Sequence, residues 1–125
     1  MAIPGGFPRY GYFKAAKDQQ IMELINNFAI EKKPIAAVCT ASLLLGAAGI
    51  LHGKQATTYQ EENGRWLQQL AAYGAIVEDH SLCIDDNIIT GSGPASAIPV
   101  ALNLLKIITN DANANAIGQI MGFYS

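Results

Sequence analysis

The side chains in this chain with the widest chemical reach are two cysteines, Cys39 and Cys83, two histidines, His52 and His80, and ten carboxylates. Only Cys39 stands in a pattern that implies chemistry. Val38-Cys39-Thr40-Ala41-Ser42 joins a short apolar run directly to a helical segment. At such a junction a side chain rises above the carboxyl edge of the sheet, where α/β proteins bind their ligands. Backbone N–H groups of the following helix point at the sulfur and favour its thiolate. Small residues at positions 40 to 42 permit a tight turn and leave room for a ligand, as in a nucleophile elbow. Composition alone favours a plainer reading, an inert cysteine at a strand end, because free cysteines are among the most buried residues. Cys83, between Leu82 and Ile84, reads as strand core. The two histidines have no ligand-like spacing to each other or to the cysteines, so we expect neither a metal site nor a cofactor.

The elements that must hold Cys39 can be read around it. Ile35-Ala36-Ala37-Val38 is an apolar run without polar alternation, as in a strand covered on both faces of a parallel sheet. A helix should follow from Ala41 to Ala48, with Gly49 as its stop. Upstream, Asp18 can cap a helix with Ile21, Leu24, Ile25 and Phe28 on its buried face. Downstream, Lys54 to Thr58 reads as a strand. Glu61 to Tyr73 reads as a helix with Trp66, Leu67 and Leu70 inward, and Glu61-Glu62 at its start would complement the helix dipole. Ala75 to Thr90 holds two or three short strands around an Asp85-Asp86-Asn87 turn. A helix beginning near Pro94 carries the stripe Ala97, Val100, Ala101, Leu104, Leu105 and Ile108. A last one, from Asp111, would bury Ala116, Ile117, Ile120 and Met121. The segment from Phe7 to Tyr12 reads as an ordered loop whose aromatic residues wall a pocket or an interface. Alternation of strand and helix argues for one doubly wound α/β domain over residues 1–125.

Composition narrows the class of function. With 125 residues, half of them hydrophobic and 14% charged, the chain has the makings of a single packed core. A net charge of −2 gives no electrostatic reason to expect nucleic acid or an anionic membrane as a partner. The longest apolar stretch, Ala41 to Leu51, is about half of what a bilayer span requires. Two cysteines do not make a disulfide framework, and no secretory signal is visible, so we expect a cytoplasmic protein with reduced thiols.

A longer pattern surrounds the cysteine. Ala36-Ala37-Val38-Cys39-Thr40-Ala41-Ser42-Leu43-Leu44-Leu45-Gly46-Ala47-Ala48-Gly49-Ile50-Leu51, followed by Gly53-Lys54-Gln55-Ala56-Thr57-Thr58, resembles the core of the ThiJ/PfpI superfamily. Ile3-Pro4-Gly5-Gly6 resembles its Pro-Gly-Gly loop. Asn87 to Pro94 resembles its late strand and Gly-Pro turn, and Ala116 to Phe123 its closing helix. The Val-Cys-Thr start and the Leu-Leu-Leu-Gly-Ala-Ala-Gly tail lean toward its isonitrile hydratase branch.

The resemblance implies a flavodoxin-like three-layer sandwich with a mostly parallel sheet, of the class I glutamine amidotransferase type. It implies Cys39 as nucleophile, with the N–H groups of Gly6 and Thr40 as oxyanion donors and Gly5 and Tyr59 beside the substrate. The Thr40 hydroxyl would orient water or substrate, or else bond its own backbone. Tyr59 stands where many members have histidine, so no Cys-His pair is formed. The family's acid beside the cysteine comes from a first strand-helix unit that has no counterpart here, and we expect the domain to be N-terminally incomplete. The expected function is cysteine-dependent chemistry on a small aldehyde, isonitrile or amide. The alternatives are a non-enzymatic oxidative-stress sensor or chaperone-like protein using the oxidisable cysteine, and an inactive remnant. A homodimer is expected, because superfamily members usually dimerise and an open sheet edge invites pairing.

Overall fold

The computed structural model describes residues 1–124. Its central sheet has the order β1-β2-β6-β5, where β1 is Ala2–Ile3, β2 Ile35–Val38, β5 Leu82–Asp85 and β6 Ile88–Gly91. β2 runs parallel to both β1 and β6, and β5 closes the edge antiparallel to β6. This is the doubly wound α/β layering that the strand-helix alternation implies, in the flavodoxin-like form that the resemblance implies. Among the described residues no helix is long and apolar enough to cross a membrane.

Every residue of β2 meets apolar neighbours, and the two faces meet different ones. Ile35 and Ala37 join the larger cluster of Ile25, Leu43, Leu45, Leu51, Trp66 and Leu70. Ala36 joins Ile89 and Val100 on the opposite side, with Val38 and Leu104 packed against them. A strand sandwiched in this way gains nothing from polar alternation, which is why its sequence shows none.

On the larger side lie α1 (Gln19–Ile30), α2 (Ser42–Ala47) and α3 (Arg65–Ala72); on the other lies α4 (Ala97–Ile108), with α5 (Asp111–Ile120) beside it. Asp18 caps α1 as expected, its carboxylate accepting from the N–H groups of Gln20 and Ile21 at 2.9 and 3.1 Å. Of the expected stripe, Ile25 is buried and Ile21 and Phe28 are half-buried, but Leu24 is exposed. Pro99 is tolerated because it is the third residue of α4, where its missing N–H would have had no helical partner.

Three expectations needed correction, and the Phe7 to Tyr12 loop gained detail. The strand expected over Lys54 to Thr58 shrinks to β3, Gln55–Ala56, which pairs in parallel with β4 (Ile76–Val77) outside the main sheet. The Gln55 N–H instead donates to the Asp85 carboxylate at 2.7 Å, and the Thr57 N–H to the Thr90 hydroxyl at 3.0 Å, so side chains replace the ladder. The helix expected from Glu61 starts at Arg65, because Glu62, Asn63 and Gly64 all adopt positive φ. Glu62 therefore pairs with Arg65 at 3.3 Å and does not sit on the helix dipole. The loop from Phe7 to Tyr12 contains a 3-10 turn, Pro8–Tyr10, and a second one runs over Tyr12–Lys17. Finally, α5 buries Ala114 and Gly118, while Ile120 and Met121 face out. The ring of Tyr124 packs so closely on Gly118 that a Cβ there would come within 2.2 Å of it.

Beside β1 the sheet ends in an open edge. Ile3 and Pro4, with Ala97, Ala101, Leu105 and Ile108 of α4, line an apolar groove of about 440 Å³.

Candidate active site

β2 ends at Val38, and the chain turns at once into a 3-10 turn over Cys39–Ala41 that leads to α2. Cys39 makes the turn with φ of 63°, left-handed backbone that a non-glycine residue adopts at a cost of roughly 1–2 kcal/mol. The elbow inferred from the sequence is therefore present in the backbone. Hydrogen bonds fix it from two sides. The buried Thr58 hydroxyl donates to the Cys39 carbonyl at 2.9 Å. The Thr40 hydroxyl donates to the Gly6 carbonyl at 2.6 Å and accepts from the Gly6 N–H at 3.0 Å.

Gly5 and Gly6 bring the second loop against this turn, and both must lack a side chain. A Cβ on Gly5 would lie 2.8 Å from the Cys39 Cβ and 3.0 Å from the Val38 carbonyl oxygen. On Gly6 it would lie 2.4 Å from the Tyr12 ring. Tyr12 in turn donates its hydroxyl proton to the Pro4 carbonyl at 2.6 Å. Burial, with the nearby Cys39 sulfur adding to it, pushes the Tyr12 phenol up to about 12.

Above the elbow opens a cavity of about 480 Å³. Its floor is Gly5, Gly6, Val38 and Cys39; its walls are Phe7, Tyr10, Tyr12, Tyr59 and Pro94. Phe7 and Tyr59 meet edge-to-face across one wall, with ring centroids 5.8 Å apart. All five sequence-derived site residues thus gather at one place: Cys39, Gly5, Gly6 and Tyr59 line the cavity, and Thr40 bolts its floor together. Neither a carboxylate nor a histidine is among the cavity-lining residues. His80 lies outside it, near Glu78, and His52 packs against Gly74. The described residues also contain no group of three His, Cys, Asp or Glu side chains placed to hold a metal.

Electrostatically the site differs from the sequence expectation. Cys39 is only 8% exposed, and this burial pushes its thiol above the ordinary cysteine range; donors from Thr40 pull the other way without overcoming it. The single Thr40 hydroxyl proton goes to Gly6, so the backbone N–H is the donor left for the sulfur. The helix beyond contributes little, since α2 has six residues and starts only after the 3-10 turn. The Gly6 N–H, expected to serve as an oxyanion donor, is engaged by the Thr40 hydroxyl. Thr58 and Thr90 were missed as functional supports. The Thr57-Thr58 pair was visible as part of a motif, but nothing local says that its second hydroxyl reaches the elbow.

A flavodoxin-like sheet carrying a cysteine elbow over a Gly-Gly loop defines a class of α/β proteins, and comparison with known proteins makes the class specific. The chain belongs to the DJ-1/PfpI family, whose model matches residues 1–107. An isonitrile hydratase of Pseudomonas putida is 36% identical over 108 residues, covering 85% of this chain and 43% of that protein. The crystal structure of a ThiJ/PfpI family protein from Pseudomonas syringae superposes with a TM-score of 0.77 at 27% identity, over 90% of this chain and 45% of that one. Drosophila melanogaster DJ-1beta shares the fold with a TM-score of 0.83 at 22% identity, covering 96% of this chain and 61% of that one. The chain spans less than half the length of the isonitrile hydratase it matches.

Two measurements test this geometry. At an ordinary position alanine is more stabilising than glycine, but the left-handed backbone at Cys39 should invert that order. Cys39→Gly is expected to melt above Cys39→Ala by a margin of about 1 kcal/mol, and the usual order would show that the elbow is relaxed. The pH dependence follows from the raised thiol. Because the thiolate is the nucleophile and burial disfavours it, alkylation of Cys39 by iodoacetamide should still be climbing with pH where a free cysteine has already levelled off. Rates that plateau below the ordinary thiol range would contradict it.

Proposed function

We propose that this chain uses Cys39 to add to a small electrophilic carbon, an isonitrile or a reactive aldehyde, held in the cavity above the elbow. The observation that carries the reading is the left-handed Cys39 itself. A strained backbone conformation, fixed by Thr58 and by the close approach of Gly5, presents one nucleophilic atom to a largely apolar cavity. The similarity to an isonitrile hydratase supports the first substrate class.

For an isonitrile, the sulfur bonds to the terminal carbon, and the thiol proton ends on that same carbon, giving a thioimidate. Water then adds to the carbon, its protons passing to nitrogen and sulfur as the C–S bond breaks. The products are an N-substituted formamide and the regenerated thiol. For a 2-oxoaldehyde, the C–S bond forms as the aldehyde π pair moves onto oxygen, which takes the thiol proton and leaves a hemithioacetal. Its carbon-bound hydrogen then passes to the adjacent carbonyl carbon to give a thioester, which water hydrolyses to a 2-hydroxy acid and the regenerated thiol. In both cases the Thr40 N–H, which donates toward the sulfur in the resting site, is the donor we assign to the developing charge. The neutral resting thiol suits this chemistry, since its proton is retained for transfer to the adduct. The same burial disfavours the oxidative-sensor reading, because sensor cysteines are exposed and low in pKa.

The expected result is conversion of an alkyl isonitrile to its formamide, or consumption of methylglyoxal, by the native chain, with a loss of at least about 100-fold in Cys39→Ser. Equal turnover in the variant, or none by either protein on both substrates, would overturn the assignment. Stoichiometric oxidation of Cys39 without turnover, read by mass spectrometry, would favour the sensor instead.

We also propose that the chain forms a homodimer in a reducing, cytoplasmic setting, a second copy covering the apolar groove and open edge beside β1. Exposed Ile108 lines that groove, and an unpaired strand edge invites association. Light scattering should give twice the mass of 13.3 kDa, and a monomer at micromolar concentration would refute the pairing.

A further inference from the structure

The Cys39 cavity has no charged lining residue, yet a cation stands on its rim. The Arg9 guanidinium lies 4.9 Å from the ring centroid of Tyr10 and 5.7 Å from that of Phe7, and both rings wall the cavity. Phe7 is shared with a neighbouring hollow of about 340 Å³, lined also by Arg9, Glu62 and Arg65. The only carboxylate lining that hollow, Glu62, is taken by Arg65 at 3.3 Å. Among the described residues Arg9 has no carboxylate within 4.0 Å. Two guanidinium groups against one carboxylate leave the hollow with a net positive charge.

We propose that Arg9 is a specificity-determining residue that selects substrates carrying an anionic group, a carboxylate above all, on the side of the molecule away from the reactive carbon. The inference rests on the reading of Cys39 as the reacting atom and adds the substrate's charge to it. Stacking on two aromatic faces holds the guanidinium at the rim and leaves its N–H edges free for a bidentate partner. Because Arg9 is exposed, its charge is screened by solvent and salt, but no other charge lines the cavity to compete with it. A neutral molecule of the same size would gain the cavity's apolar contacts but none of this attraction.

Iodoacetate and iodoacetamide form a pair of probes nearly equal in size and leaving group and different in charge. Their alkylation rates at Cys39, separated from Cys83 by peptide mass spectrometry, are compared at one pH, so that the thiolate fraction cancels from their ratio. Relative to the native chain, Arg9→Gln should lower the iodoacetate-to-iodoacetamide ratio by about 3–10-fold, Arg9→Glu should lower it further, and Arg9→Lys should retain most of it. In the native chain the ratio should also fall as salt is raised to about 0.5 M. A ratio unchanged in Arg9→Gln overturns the role of Arg9 while leaving the Cys39 chemistry intact. Failure of both reagents at Cys39 overturns the underlying reading, and the assignment of Arg9 with it.

Discussion

Everything about this site depends on one left-handed residue. Cys39 cannot relax to an ordinary φ without moving the end of β2 or the start of α2, and both are packed into the core. The strain is held by contacts on the carbonyl and the Cβ: the Thr58 hydroxyl on the first, and the close approach of Gly5 to the second. Placement of the sulfur and fold stability are therefore coupled at the same bonds. A substitution at Thr58 or Gly5 would therefore be felt throughout the elbow.

Burial acts on this cysteine in two directions. It shields the elbow's own hydrogen bonds, Thr58 to the Cys39 carbonyl among them, from competing solvent and so strengthens them. It also raises the thiol, which lowers the fraction of nucleophile at neutral pH. The described residues lining the cavity offer no carboxylate or imidazole to settle the balance, so in the proposed chemistry proton movement falls to the thiol, the substrate and water, with the Thr40 N–H only a hydrogen-bond donor. An elbow can thus be geometrically ready and electrostatically quiet.

Much of this was legible in the sequence, for reasons that differ by element. β2 and the cysteine turn were readable because an apolar run followed by small residues has few other uses. Asp18 announced the start of α1 because capping is local. The β3 strand was overestimated because its hydrogen bonds go to the side chains of Asp85 and Thr90, partners about thirty residues away. The start of α3 was misplaced because three successive left-handed residues before it override the propensity of two glutamates. The face of α5 was misread because Gly118 is buried by its smallness, which a hydrophobic stripe does not reveal. Charge at the sulfur was misjudged for a related reason: the length of a helix and the depth of a side chain are tertiary facts.

The floor of the cavity and its aromatic wall differ in what they can yield. On the Gly5 side the backbones of two loops already touch, with no side chain between them to trim or rotate. On the other side stand Phe7 and Tyr59, two half-buried rings in an edge-to-face contact. Adaptation to a larger or smaller ligand is then confined to the aromatic side, where exchange of a single ring would reshape the space and leave the sulfur where it is. The site has one fixed jaw and one adjustable one.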